Sequence, residues 1–443
     1  MTFDWAFDKI KNIGHLYELR LPVLFFGFAL WVVTPIIGIF PLLLSIQLYL
    51  ITPESKQPKL FSLTNTLLIL VVVSVSIYAS SIEIFADTRN YLDVYEIIDK
   101  KGIFDNEYVK ERFEFVPFAF LYLIHILTNG SEYLCLLLFS LTINALVTFG
   151  VTKKISPEYY PTLLIVIFST FFYYSHVFYM RQFMSIVLMV IAIAYIESSW
   201  LIFIFWCSLA LFSHFSTALY IAVCTTSKMF FSIKGRIKIK YNKNNKVLLY
   251  IFLGFVLSAV LYVGLQVYSN PQAVYSYVNS LLNLLPQKDL SSSIQNRVGI
   301  YDGRDVALFS LTIFRAIAIV SIGVFIIAKG YKKLTPILLS LDLIYIISLF
   351  QIAFILATGF NQRIAFFFLA FYGLLFYIGL NKESKLKPFG IISSLTIFAA
   401  ASNTFNFLTI QATMIDTDGW SFFDGQPLAM SLYDYILYVF QSI

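Results

Sequence analysis

Titratable side chains are scarce in this chain, and those that interrupt its apolar runs are the ones placed to do chemistry. Glu114, Arg181 and His214 each stand at an end or a break of an apolar stretch, and Asp87, Arg89 and Tyr91 stand just beyond another. Arg315 lies about nine residues inside an apolar run, and Arg363 closes the turn Gly359-Phe360-Asn361-Gln362-Arg363. A guanidinium is a planar fork of five donors that grips phosphate or carboxylate bidentately. A carboxylate or imidazole nearby can take a proton from a hydroxyl. Together they suit binding of an anionic ligand beside a group that can activate a hydroxyl. Burying an isolated guanidinium in hydrocarbon costs roughly 2.5 to 3.5 kcal/mol, so Arg315 demands a partner or an aqueous cavity.

The local patterns sharpen this chemistry. An aromatic belt runs from Phe171 to Tyr179, and Arg181 and Gln182 then open the next apolar helix. A helix N-terminus carrying an arginine attracts anions. In Phe212-Ser213-His214-Phe215-Ser216-Thr217 a histidine sits between small hydroxyl residues, which can cap a new half-helix. A satisfied core histidine fits that place equally well. Asn361 brings an amide beside Arg363, and Trp420 stands among Asp416, Asp418 and Asp424, where it would serve as a sugar platform or as an interfacial anchor. Asp416-Thr417-Asp418 is the one Asp-x-Asp in the sequence, so no metal or other cofactor is demanded.

The elements that position these residues follow from composition. Of 443 residues 59% are apolar and only 13% charged, too few charges to cover a soluble domain. Apolar runs of spanning length, roughly 20 residues each, cover 21–51, 60–82, 132–151, 158–178, 182–197, 200–231, 247–268, 306–328, 335–357, 364–380 and 389–410. They are continuous rather than alternating, which excludes a barrel. The expectation is an all-α polytopic membrane bundle of about eleven to fourteen segments. It comprises an amphipathic start, 1–20, and a single integral domain, 21–443. Cys135, Cys207 and Cys224 lie in apolar runs and read as inert core.

Lysines fix the orientation. Sixteen of 22 fall in linkers 52–59, 153–154, 228–246, 329–333 and 381–387, which are cytoplasmic by the positive-inside rule. The net charge of +6 is thus spent on topology, and no nucleic acid is expected as a partner. Loops 83–112, 269–305 and 411–430 fall outside. Parity then requires segment 113–128 to dip in from the outer face or lie along it, and requires 200–231 to break at Ser213-His214. Seven of nine arginines fall on or near the outer face. Topology does not account for that segregation, whereas an anionic ligand outside does; snorkelling to headgroups is the plainer alternative for any single arginine.

At these residues the chain resembles the EpsG-type branch of Wzy-like bacterial polysaccharide polymerases, over roughly 60–380. The motifs are Asp87 with Tyr91 four later, Glu114 with a nearby proline, Arg181-Gln182-Phe183-Met184-Ser185, and Phe212-Ser213-His214-Phe215-Ser216-Thr217-Ala218. Glu114 and Pro117 are separated where the family pattern has them adjacent, and Phe85 replaces a usual glycine. The resemblance implies a GT-C-like membrane glycosyltransferase in the bacterial inner (cytoplasmic) membrane, with its active site outside. It implies polyprenyl-diphosphate-linked oligosaccharide repeat units as donor and acceptor, surrounding membrane lipid, and partners for flipping and chain-length control. The expected reaction is a single inverting displacement with diphosphate as leaving group. Arg89, Arg181, Arg315 and Arg363 are the expected diphosphate ligands, with Tyr91, Gln182, Asn361 and Trp420 as further binding residues. Asp87 is favoured as the base because Arg89 would hold it ionised, and His214 and Glu114 are its rivals. A ligase acting on finished glycan uses the same arginines, and a flippase is the non-enzymatic alternative; a flippase predicts internal repeats, and none is visible.

Overall fold

The computed structural model describes residues 19–33, 58–80, 87–101, 114–154, 180–234 and 335–344, with shorter pieces at 38, 41–42, 44–45, 262, 431–434 and 436–437. Among these residues every regular element is helical: α1 (Arg20–Val33), α2 (Pro58–Ser80), α3 (Asp87–Lys101), α4 (Phe115–Thr128), α5 (Glu132–Thr152), α6 (Met180–Ala194), α7 (Trp200–Ser213), a 3₁₀ turn (Phe215–Thr217) and α8 (Ala218–Lys234). The all-helical expectation therefore holds for the described part. One described helix, α5, is long and apolar enough to cross a membrane. The larger segment count rests mainly on runs outside the described residues.

The long first run does not continue as one helix. A Cβ placed on Gly27 would come within 3.0 Å of Leu42, whereas a continuous helix would hold residues fifteen apart about 22 Å from each other. The chain doubles back between them. Trp31 on α1 donates its indole N–H to Ser74 Oγ of α2 at 2.6 Å, so the apolar first limb is tied to α2 by a polar contact. Along α2, Leu68, Val71 and Val75 are buried, as are Phe139, Ile143 and Val147 on α5. Between these two helices Asn144 donates to Ser76 Oγ at 3.0 Å and to Ser140 Oγ at 3.4 Å. Side-chain amides and hydroxyls of this kind join helices where apolar burial alone gives little preference for one neighbour over another.

The stretch 83–112, expected as a loop, contains α3. Its Tyr91, Leu92, Val94, Tyr95 and Ile98 are buried while Arg89, Asp93 and Glu96 face out, the spacing of an amphipathic helix. Tyr95 ties it down: its hydroxyl lies 2.7 Å from Thr128 Oγ1 and donates to the Ser131 carbonyl at 3.3 Å. Burial pushes the Tyr95 hydroxyl up to about 12, so it stays protonated and able to donate. The α4–α5 turn turns sharply through Asn129 and Gly130, at φ 51° and 84°, where glycine tolerates what a β-carbon resists. Ser131 then caps α5 by accepting from the Leu134 N–H at 3.4 Å.

At the other end of the bundle Lys228, expected in a cytoplasmic linker, lies inside α8 and is 6% exposed. Its ammonium bonds the carbonyls of Ile196 and Ser198 beyond the end of α6 and sits 5.0 Å from the Trp200 ring centroid. Helix C-termini leave carbonyls without intrahelical partners, and a lysine supplies the missing donors. The orientation yields a direct expectation. With Cys135, Cys207 and Cys224 all buried, an impermeant maleimide labels Asp93→Cys in intact cells, and Lys154→Cys only after permeabilisation. The reverse pattern would invert the topology.

Candidate active site

Four separate segments meet at the start of α6. This helix is buried along its whole length from Phe183 to Ala194, so Arg181 and Gln182, in its first turn, mark where its surroundings become polar. Glu114 ends the chain leading into α4 and is 6% exposed. His214 follows the last residue of α7, with extended backbone at φ −161°, and the 3₁₀ turn and α8 follow it. The break at Ser213-His214 falls where orientation parity places it in the sequence. Tyr91 comes from the buried face of α3.

Glu114 is the hub. One of its oxygens, Oε2, pairs with Arg181 Nη1. The other, Oε1, accepts the Phe215 backbone N–H at 3.2 Å and lies 3.7 Å from His214 Nδ1. Arg181 in turn donates Nε–H to the Tyr91 hydroxyl at 3.3 Å, with its guanidinium carbon 5.6 Å from that ring's centroid. All these groups are largely withdrawn from solvent: the side chains of Arg181, Glu114 and His214 are 12%, 8% and 15% exposed. Taking two charges out of water costs several kcal/mol per ion before their attraction is counted, so a buried pair of this kind is a weak device for stability and a common one for function. The Phe115 and Phe212 rings lie 4.8 Å apart, linking the start of α4 to the end of α7 beside the cluster.

The local frame is set one turn farther along. Ser185, four residues after Arg181, donates to the Ala210 carbonyl at 2.8 Å and lies 3.1 Å from Thr217 Oγ1. Thr217 Oγ1 bonds the His214 carbonyl at 2.8 Å, and the His214 N–H bonds the Ala210 carbonyl at 3.1 Å. The hydroxyls thus fasten the broken helix to α6 and fix the height at which the imidazole faces the carboxylate. Ser185 and Thr217 lie inside the two motifs visible in the sequence without a role assigned there; a small hydroxyl residue one turn after the arginine was the available signal.

The other expected residues fall differently. Arg89 is half exposed and engages Asp93 at 3.0 Å, Glu96 at 3.8 Å and Glu132 at 3.9 Å; two positions from Tyr91, it lies on the opposite face of α3. Asp87 is the first residue of α3, one turn ahead of Tyr91, and its side chain is outside the described set. Arg315, Arg363, Asn361 and Trp420 also lie outside the described residues. Gln182 Oε1 is buried and has no hydrogen-bond partner among the described residues.

Lys154 Nζ lies 4.5 Å from the Tyr195 ring, which brings the C-terminal ends of α5 and α6 together, away from Arg181.

A strongly apolar chain, helical throughout its described residues, that buries a carboxylate, a guanidinium and an imidazole at a helix break has the character of a membrane protein. The EpsG family model matches residues 64–413, well over half of the chain and including all four residues of the cluster, and the chain belongs to the EpsG family. No curated protein and no solved structure matches it.

Proposed function

We propose that the protein is a glycosyltransferase of the bacterial inner membrane that polymerises polyprenyl-diphosphate-linked oligosaccharide repeat units at the outer face. The observation that carries this reading is the convergence of Tyr91, Glu114, Arg181 and His214, from four segments, on one buried locus in a chain of the EpsG family. In this reading His214, whose Nδ1 lies 3.7 Å from Glu114 Oε1, is the base for the acceptor hydroxyl. Its imidazole takes the hydroxyl proton, the oxygen attacks the anomeric carbon, and the bond from that carbon to the diphosphate oxygen breaks. Its electron pair leaves with the polyprenyl diphosphate, and the configuration inverts. Arg181 meets the charge that develops on the leaving group, while Gln182 Oε1 accepts from a sugar hydroxyl. Glu114, with one oxygen on Arg181 and the other on Phe215 N–H, holds both partners rather than moving the proton. Arg315 and Arg363 complete the diphosphate site, Tyr91 steadies Arg181, and Asn361 and Trp420 meet sugar. Asp87 is the rival base, and a flippase and a chain-length regulator are the expected partners.

The test is the species that accumulates in a deletion strain. Single repeats on carrier, exposed at the outer face, are the expected result. Single repeats retained inside would make the protein a flippase, and long chains still on carrier would make it a ligase.

A further inference from the structure

A groove of about 570 Å³ runs along α5 at the end of the bundle away from the active site. Leu141, Ala145 and Phe149 form its floor, with Val72, Ile191 and Trp206 contributed by α2, α6 and α7. At its base Gly150 lets the helices close, because a Cβ there would meet Ile191 Cγ1 at 2.9 Å. The lining is apolar apart from Thr142 and one end, where its one charged residue, Lys153, and Tyr195 complete it and Lys154 sits over the Tyr195 ring at 4.5 Å.

We propose that this groove binds one anionic phospholipid, with an acyl chain along α5 and its phosphate between Lys153 and Lys154. Three observations favour that occupant. From Leu141 to Lys153 the groove is about 18 Å long at the helical rise, the depth of one leaflet of a hydrocarbon core about 30 Å thick. Its charge is confined to one end, as an amphiphile with a single anionic head requires, and basic pockets between helices recruit such lipids. The carbonyls at the end of α6, which would repel an anion, are already bonded by Lys228 at Ile196 and Ser198. Among the described residues, Glu197 is the carboxylate in the field of that lysine. The occupant is distinct from the reacting lipid, since Arg181 and Tyr195 stand about 21 Å apart along α6, which places the two headgroups at opposite ends of the helix.

The inference is tested on the full-length protein in detergent, incubated with equal amounts of phosphatidylglycerol and phosphatidylethanolamine and weighed intact by native mass spectrometry. Each basic residue near a headgroup contributes about a fivefold preference, so the wild type retains phosphatidylglycerol about thirtyfold over phosphatidylethanolamine. Lys153→Gln with Lys154→Gln removes the preference without removing lipid, and Ala145→Trp, which fills the groove, releases both. Lipid binding with no preference in the wild type overturns the proposal. So does a preference that survives the double lysine change, retention of polyprenyl phosphate alone, or a disulfide cross-link from Ala145→Cys to another segment of this chain.

Discussion

Exchanging His214 for glutamine is expected to abolish polymer while the protein remains in the membrane at its normal level. Glutamine keeps hydrogen-bonding capacity and much of the volume but cannot carry a proton between two states, and removing a general base costs roughly 10²- to 10⁴-fold in rate. The backbone bonds that hold the break, from Thr217 to the His214 carbonyl and from His214 N–H to Ala210, do not depend on the imidazole. Fold and activity should therefore separate cleanly. The measurement is chain length on a gel beside an immunoblot of the membrane fraction. Normal polymer in His214→Gln together with its loss in Asp87→Asn would transfer the role of base to the aspartate.

The second large effect is a pair of opposed outcomes at Glu114 and Arg181. Glu114→Gln leaves a buried guanidinium without its carboxylate, a change that destabilises by about 3–5 kcal/mol, so both protein level and polymer fall. Glu114→Gln combined with Arg181→Gln removes both charges and returns the level toward wild type, because a neutral amide pair has no ion to desolvate. Polymer stays absent, since nothing remains to meet the charge on the departing diphosphate. Arg181→Lys keeps the charge but surrenders the planar fork that reaches Glu114 and Tyr91 at once, and activity falls sharply there too. Full-length polymer from the double variant would reduce the ion pair to a structural feature.

The sequence reveals helices where apolar runs are long, and α2, α5 and α6 start and stop within a few residues of those runs. It also reveals the break at His214, because orientation parity demanded one between Trp200 and Lys228. It missed α3, whose described buried face is Thr88 and five apolar or aromatic side chains inside a stretch rich in charge, where hydropathy averages to nothing. It misjudged Lys228, since a lysine near an apolar end reads as solvated unless the carbonyls it serves are known, and those belong to another helix. At the site the residue types were legible but their relations were not. Glu114 and His214 stand in the sequence as competing bases, whereas in space they are two parts of one arrangement with Arg181. Glu114 reaches Arg181 across 67 positions and the Phe215 N–H across 101, separations that leave no local trace. Nearness in sequence to Arg89 favours Asp87 as the base; the guanidinium engages Asp93, Glu96 and Glu132, and the Asp87 side chain lies outside the described residues.

The distance along the chain between Glu114 and Arg181 also has a history. Chains emerge from the ribosome at roughly 5–20 residues per second, so the 67 positions that separate the two residues take about 3 to 13 s to synthesise. Throughout that interval the carboxylate has been made and its counter-ion has not. It must wait at an aqueous boundary, in the insertion machinery or protonated, and α4 cannot settle into its final place until α6 arrives. The buried cluster is thus closed only when the buried helix that carries the arginine has been delivered.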